Sequence, residues 1–321
     1  MAVKISNHDH PSIIGKHFAN RISIVTRTRQ LLKEVRKGLP GYLFIAPGYI
    51  VFLAFTLVPI LFAIQLSFYE TSFNISARQF VGFDQYIQLT QDPIFATALL
   101  NTIKYTLIIV PTTIVIALFV ALLIDPLGQR AQGFFRGAFY IPGVAGGVVL
   151  SIVFLWIFNP TYGLLNYLLG GFGIQPVTWL ASAPYSFYAV CTVVLTFTIG
   201  QPIILFQAGL AGISQDIIDA ATVDGANFAQ KALFVRIPLL RPVLLFVFAT
   251  QLIQVFQLWE VIYMLTGGGP YNTSTSLVYL IFQRAFIGSN YGIASAMGVV
   301  LMLIIMVFTI FQLKFWDTES V

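Results

Sequence analysis

Six apolar stretches, each long enough to cross a lipid bilayer, follow one another along this chain of 321 residues. A helix needs about 20 apolar residues to span the hydrocarbon core. Long continuous runs favour helices, because the strands of a membrane barrel give short alternating segments. We therefore predict an all-α membrane protein with six transmembrane helices. The predicted spans are residues 42–68, 99–124, 134–158, 185–210, 243–265 and 292–315.

The composition supports a membrane protein and limits its chemistry. Hydrophobic residues make up 58% of the chain and charged residues only 9%, whereas a soluble domain carries about 25% charged residues. The one cysteine, Cys191, lies within an apolar run, where we expect a small buried or lipid-facing residue rather than a redox group. A single cysteine also excludes an internal disulfide.

The placement of lysine and arginine predicts the orientation in the membrane, because loops that stay in the cytoplasm are enriched in both residues. Residues 1–38 hold eight of the 17 basic residues, and six more fall on the same predicted side. Only Arg78, Lys104 and Arg284 fall on the opposite side. We therefore predict a basic cytoplasmic tail at 1–38, a six-helix membrane domain at 39–321, and both termini in the cytoplasm.

The chain lacks the motifs of a catalytic subunit. A nucleotide-binding P-loop requires G-x-x-x-x-G-K-[ST], but the only Gly-Lys pair, Gly15-Lys16, has His10 and His17 at the flanking motif positions. The motifs H-E-x-x-H, C-x-x-C and G-x-S-x-G are also missing, and all three histidines lie in the basic tail. We therefore expect no catalytic residue, no bound metal and no cofactor in this chain.

A charged stretch at 212–242 separates two of the apolar spans and carries three acids and three bases. Ser214 is a good helix N-cap, because its hydroxyl can accept a bond from a free backbone N–H. Gly225 suits a left-handed position after the helix, and Pro242 suits the first turn of the next span. The pattern predicts a helix, a glycine turn and a second helix. From periodicity alone, a docking element and a plain amphipathic linker are both open.

Three short motifs lie in this stretch: Asp219-Ala220-Ala221, Asp224-Gly225-Ala226 and Ile237-Pro238. Together they resemble the E-A-A-x-x-D-G-A…x-L-P signature of permease subunits of binding-protein-dependent ABC importers. The resemblance implies the type I importer permease fold and a cytoplasmic coupling helix that seats in a cleft of a separate ATPase. Asp219 replaces the usual Glu, and Ala232 stands where Phe is common; weaker docking and retuned docking are both open for these two departures, and neither breaks the pattern. The implied coupling residues are Ser214, Asp219, Ala220, Ala221, Asp224, Gly225, Ala226 and Pro238.

A second set of motifs, between residues 265 and 296, resembles the carbohydrate-uptake permeases of the maltose and glycerol-phosphate type. It includes Thr266-Gly267-Gly268-Gly269-Pro270, Asn272-Thr273-Ser274-Thr275 and Gly292-Ile293-Ala294-Ser295-Ala296. This resemblance implies a bacterial inner-membrane subunit. The implied partners are a second homologous permease, two ATPase subunits, an external solute-binding protein and membrane lipid, with no nucleic acid.

Transporter sites lie near the bilayer midplane, at broken helices and polar side chains. Amides recur every three residues at Gln251, Gln254 and Gln257, followed by Leu258, and amides suit sugar hydroxyls because they donate and accept. Hydrogen bonding of these amides to a neighbouring permease helix is the alternative. The resemblance implies that Gly200, Ile203, Gln251, Gln254, Leu258 and Glu260 line a sugar site. Glu260 is open to two roles, binding a hydroxyl or pairing with a base on the partner.

Two segments with glycine inside the predicted spans lead to different predictions. At Gly200-Gln201-Pro202 we predict a functional helix break, because a polar residue, Gln201, lies at the break. At Gly143–Gly147 we predict close helix packing through small residues. The rival to an importer subunit is a stand-alone secondary transporter or channel for a small polar solute. Few charges within the membrane spans and no visible ion site count against that rival.

Overall fold

The structure is a computed structural model that describes residues 41–71 and 78–317. The basic tail at 1–38 lies outside the described residues. Within the described residues, one unit ends at Phe62 and a second begins at Ala63. Helix α1, Gly41–Leu66, starts in the first unit and ends in the second. A π-helical turn, Leu53–Leu57, interrupts its regular winding.

The second unit is built from short loops, two strands and a succession of helices. Strands β1 and β2 pair antiparallel, with Tyr69 opposite Phe80. The elements are β1 Tyr69–Glu70, β2 Gln79–Phe80, α2 Asp84–Gln91, α3 Pro93–Ile124, α4 Gln129–Ile157, α5 Leu164–Gly171, α6 Ala183–Thr198, α7 Gly200–Ala211 and α8 Gln215–Val223. They continue with α9 Phe228–Leu239, α10 Arg241–Phe256, α11 Glu260–Leu265, α12 Leu277–Ile287 and α13 Tyr291–Asp317.

Helix α3 lies at the centre of the second unit. It packs against α6, α7, α10 and α12. Around its first half, a cluster of buried side chains joins it to α6 and α11, and Tyr105 stacks on Phe187 with ring centroids 4.2 Å apart. Around its second half, another cluster joins it to α7, α9 and α10. The central helix therefore contacts both segments in which the sequence places functional residues.

Four helices within the described residues, α1, α3, α4 and α13, are long and apolar enough to cross a membrane. Two bent pairs raise the number to six if each pair counts as one span. Helices α6 and α7 meet at 43°, and α9 and α10 meet at 72°. The predicted span at 243–265 is interrupted, because α10 ends at Phe256 and α11 begins at Glu260. The sequence has neither Gly nor Pro there, so the break had no local signal.

Candidate functional site

The charged stretch contains the predicted first helix, α8. The Ser214 hydroxyl accepts a hydrogen bond from the Asp216 backbone N–H at 3.3 Å, which confirms the predicted N-cap. Asp216 also lies in the first turn, where the helix dipole favours an anion. The Gln215 side chain donates to the Asp219 carboxylate at 2.9 Å. That bond fixes the orientation of one carboxylate along the exposed helix.

The helix ends in the glycine turn that the sequence predicts. Gly225 has a φ of +80°, a value that L residues other than glycine rarely adopt. The Ala226 backbone N–H bonds to the Ala221 carbonyl at 2.9 Å, and the Gly225 N–H bonds to the Thr222 carbonyl at 3.0 Å. This pair of bonds is a Schellman motif, which satisfies the free carbonyls of the last turn.

The second helix, α9, begins immediately after this turn. Asn227 and Gln230 form a capping box, in which each side chain accepts from the other residue's backbone N–H, at 2.9 and 2.8 Å. The Lys231 ammonium donates to the Thr222 hydroxyl at 3.3 Å and links the two helices. Pro242 lies in the first turn of α10, as predicted. Local bonds therefore close the whole stretch into one compact segment.

This segment presents apolar side chains to its surroundings. All nine residues of α8 are exposed or half-buried. Ile217 is 44% exposed, Val223 88% and Phe228 49%. The exposed apolar side chains therefore lie on a segment whose two helices are capped by local hydrogen bonds. The predicted coupling residues Ser214, Asp219, Ala220, Asp224, Gly225 and Pro238 are exposed, and Ala221 and Ala226 are half-buried.

Ala232, the second departure from the signature, lies in the interior. Its side chain is only 6% exposed and packs in the cluster that includes Ile203 and Leu240. A residue enclosed by α3, α7 and α10 cannot contact a partner directly. A small side chain at this position instead lets α9 lie close to the core.

The middle of α4 departs from the prediction of simple helix packing. Gly146 has φ +79° and ψ 164°, which breaks the helix inside Gln129–Ile157. Close packing does occur on either side of this break. A Cβ at Gly143 would lie 3.0 Å from the Phe197 carbonyl oxygen, and one at Gly147 would overlap the Glu260 carboxylate. The glycine cluster after Pro142 was the available signal, and the prediction underweighted it.

The break at Gly200 is present as predicted. Helices α6 and α7 meet there at 43°. A Cβ on Gly200 would overlap the Phe139 carbonyl oxygen, so only glycine allows α7 to start so close to α4. Gln201 is exposed, whereas Ile203 is fully buried in the apolar cluster around the second half of α3.

The three predicted amides near the end of α10 differ in burial. Gln251 is fully buried and donates to the Gln254 side-chain oxygen at 3.2 Å, while Gln254 is exposed. Gln257 follows the last helical residue and is also exposed. Leu258 is buried at 6% exposure, and its carbonyl accepts a bond from the Ser276 hydroxyl.

Three helix breaks therefore meet on one helix. Residues 139–147 of α4 contain the first break and lie against Gly200 at the second and Glu260 at the third. The polar side chains left accessible near these breaks are Gln201, Gln254, Gln257 and Glu260. Gly200, Ile203, Gln251 and Leu258 lie behind them in the packed interior.

A loop whose last three residues are buried holds the third break in place. Residues 266–276 begin with Gly267 and Gly268 in left-handed conformations, as the Gly-Gly-Gly-Pro sequence favours. Asn101 donates to two carbonyls of this loop at 3.1 and 3.2 Å, and the Tyr105 hydroxyl donates to a third at 2.9 Å. Since Ser276 also bonds Leu258, the loop ties the α10–α11 break to α3.

Comparison with known proteins identifies close relatives by sequence. The trehalose/maltose transport system permease protein of Thermococcus litoralis is 29% identical over 281 residues, covering 88% of this chain and 95% of the relative. The sulfoquinovosyl glycerol transport system permease protein of Agrobacterium fabrum is 30% identical over 283 residues, covering 88% and 92%.

The fold also matches a solved importer. A chain of a bacterial ABC transporter involved in the import of alginate superposes with a TM-score of 0.81 at 20% identity, covering 91% of this chain and 100% of that one. Relatives of this kind are transport permeases rather than enzymes, and ATP hydrolysis belongs to separate ATPase subunits. Residues 113–315 match the family described as binding-protein-dependent transport system inner membrane component. The chain belongs to this family of importer permeases.

Proposed function

We propose that this chain forms half of the translocation pathway of an ABC importer for a sugar, an oligosaccharide or a related polyol or glycoside. The observation that carries the proposal is the set of three exposed amides and one half-buried carboxylate beside the three helix breaks. Relatives named for trehalose, maltose and sulfoquinovosyl glycerol, all rich in hydroxyls, support the same solute class. Amides and carboxylates together can match donor and acceptor hydroxyls in any orientation.

The proposed topology has six spans, with both termini in the cytoplasm. The four long helices supply four spans, and α6–α7 and α10–α11 supply the others. This arrangement places the short helices α8 and α9 in the cytoplasm and the loop before α3 outside. The excess of lysine and arginine in the segments that then face inward supports it.

The segment from 214 to 236 is proposed to couple the helices to a separate ATPase. Its capping bonds keep it folded without help from a partner, and its exposed apolar side chains, Ile217, Val223 and Phe228, suit a cleft on another protein. The path of its backbone is set by Ser214 and Gly225. Its exposed negative charges include Asp219 and Asp224. Asp219, one methylene shorter than the usual Glu of the signature, is the residue expected to adjust ATPase choice.

The solute is proposed to bind where Gln201, Gln254, Gln257 and Glu260 remain accessible. A second, homologous permease would close the other side of this site and complete the pathway. The residues behind them, Gly200, Ile203, Gln251 and Leu258, would fix their backbone positions through close packing. In this arrangement hydroxyls bind to side chains that broken helices can reposition.

Transport then follows alternating access. An external binding protein delivers the solute to the outer face, and ATP draws two ATPase subunits together around the coupling segments. The cycle requires that the inward-open and outward-open forms bind ATP and binding protein with different affinities. The breaks in α4, α6–α7 and α10–α11 supply points where helices can bend between the two forms.

Affinity purification of the tagged chain from its native membrane tests the proposal. We expect a second permease and an ATPase to co-purify, and the external binding protein to retain hydroxyl-rich ligands in a binding screen. Recovery of a transport-active single chain, without any ATPase, would contradict the importer assignment. A binding protein that retained only amino acids or ions would contradict the solute class alone.

A further inference from the structure

Ion pairs lie at both ends of the central helix, α3. At its start, Asp92 pairs with Arg284 of α12 at 2.8 Å. At its end, Asp125 pairs with Arg236 of α9 at 3.2 Å, and the two side chains are 27% and 15% exposed. Asp92 is the N-cap of α3 and Asp125 is its C-cap. The same helix is thus tied by charge to two distant parts of the chain.

The two aspartates stand in opposite electrostatic positions. Asp92 accepts the Ile94 backbone N–H at 2.8 Å and lies at the positive end of the helix dipole, where an anion is favoured. Asp125 lies at the negative end, where an anion is unfavourable. Arg236 therefore offsets a repulsion that Asp125 meets at this site. Partial burial of the pair reduces its screening by salt.

A continuous series of polar contacts leads away from the Asp125–Arg236 pair. The Gln132 side chain donates to the carbonyls of Asp125 and Leu127, both at 2.9 Å. Arg136 donates to the Gln132 side-chain oxygen at 3.1 Å and, through Nε, to the Gln207 side-chain oxygen. Four helices, α9, α3, α4 and α7, are linked in this way.

The inner end of this series is buried and incompletely satisfied. Gln207 is 3% exposed, and its side-chain nitrogen has no hydrogen-bond partner among the residues that the structure describes. An unpaired buried donor is costly. An acceptor that comes within reach of this nitrogen when the helices move would remove that cost, so the network can respond to movement.

The helices that receive these contacts are the ones that carry breaks. Helix α4 contains the break at Gly146, and α7 begins at the break beside Gly200. Both breaks lie against the site where polar side chains remain accessible. The polar series therefore joins the segment at 214–236 to the two helices that carry these breaks, with Arg136 about two to three turns before Gly146 and Gln207 about two turns after Gly200.

We propose that the Asp125–Arg236 ion pair is the point at which a displacement of the coupling segment passes to α3, α4 and α7. This inference rests on the proposed function. Arg236 acts here as a positioning residue, because it touches neither solute nor nucleotide. Movement of α9 pulls the end of α3 through this pair, and Gln132 and Arg136 carry that movement to the hinges.

Cysteine accessibility in the assembled importer tests the proposal. Gln254→Cys reports on the site, and the native Cys191 is buried, so its background labelling is low. We would measure labelling by a fluorescent maleimide in proteoliposomes, with ATP plus vanadate and without nucleotide. Arg236→Gln should lower the nucleotide-dependent change in labelling rate by about fivefold or more, while the amount of co-purified ATPase stays the same.

The charge exchange Asp125→Arg with Arg236→Asp keeps the pair and should restore the change to at least about half of its original size. Arg284→Gln removes the ion pair at the other end of α3 and is the matched control; its nucleotide dependence should be retained. An unchanged response in Arg236→Gln, loss of the ATPase in that variant, or failure of the exchange to restore the response would each overturn the inference. The complex that carries Gln254→Cys alone tests the proposed function instead. Absence of the ATPase from that complex, or an equal labelling rate with and without nucleotide, would contradict the proposed function.

Discussion

The coupling segment and the helix-break region are built by different kinds of contact. In the coupling segment, the side-chain bonds that shape α8 and the start of α9 join residues no more than nine apart. In the break region, the decisive contacts join different helices, as between Gly147 and Glu260 or between Gly200 and Phe139. A segment closed by local bonds can move as a unit, whereas a region shaped by contacts between helices changes when those helices move.

The largest loss of uptake and of thermal stability is expected from a substitution in the break region. Gly200→Ala places a Cβ against the Phe139 backbone, and such overpacking costs about 1–3 kcal/mol. Uptake should be lost, and the purified chain should unfold at a lower temperature. Gly137→Ala is the matched control, since a Cβ there meets nothing within 4 Å. Equal thermal stability of the two variants would show that α7 does not depend on this close approach.

A smaller effect is expected in the coupling segment. Gly225→Val forces a β-branched residue into a left-handed conformation, at a cost of about 1–2 kcal/mol. We expect weaker ATPase binding in a pull-down assay, with thermal stability of the membrane helices retained. Gly225→Asn is the control, because Asn tolerates this conformation better. Equal loss of binding in both variants would argue against a backbone cause.

Substitution of an exposed and of a buried amide distinguishes a solute contact from a packing role. Gln254→Leu removes an exposed amide, and losing one hydrogen bond of about 0.5–1.5 kcal/mol should raise the KM for uptake up to about tenfold. Gln251→Leu alters a fully buried side chain and should change thermal stability more than KM. Transport kinetics in proteoliposomes, with melting curves of both variants, check this difference. An unchanged KM in Gln254→Leu would remove that residue from the site.

The smallest effect concerns the first turn of α8. Ser214→Ala removes the cap on the Asp216 N–H and should destabilise this helix by about 1 kcal/mol. Faster amide hydrogen exchange should appear in α8 and not in α3. Thr97→Ala is the control, because its exposed hydroxyl bonds only a carbonyl within α3. Exchange that rises equally in both helices would contradict the local origin of the segment's structure.

The same contrast explains how much the sequence could predict. Ser214, Gly225 and Pro242 were placed correctly because caps, left-handed turns and first-turn prolines depend on neighbours in the chain. The end of α10 was not, because the chain has neither Gly nor Pro there. Gly146 was not either, because a glycine cluster within a span is equally typical of close helix packing. The burial of Ala232 follows from how α9 packs on α3 and α7. The roles of the amides and of the coupling residues stay predictions.

The most direct test removes the exposed apolar surface of the coupling segment. Ile217, Val223 and Phe228 are 44%, 88% and 49% exposed, so replacing all three with serine leaves the buried clusters intact. We would purify the tagged importer and quantify the co-purifying subunits. The second permease should remain at its original level and the ATPase should be lost. Retention of the ATPase in full would contradict the assignment of this segment as the docking element.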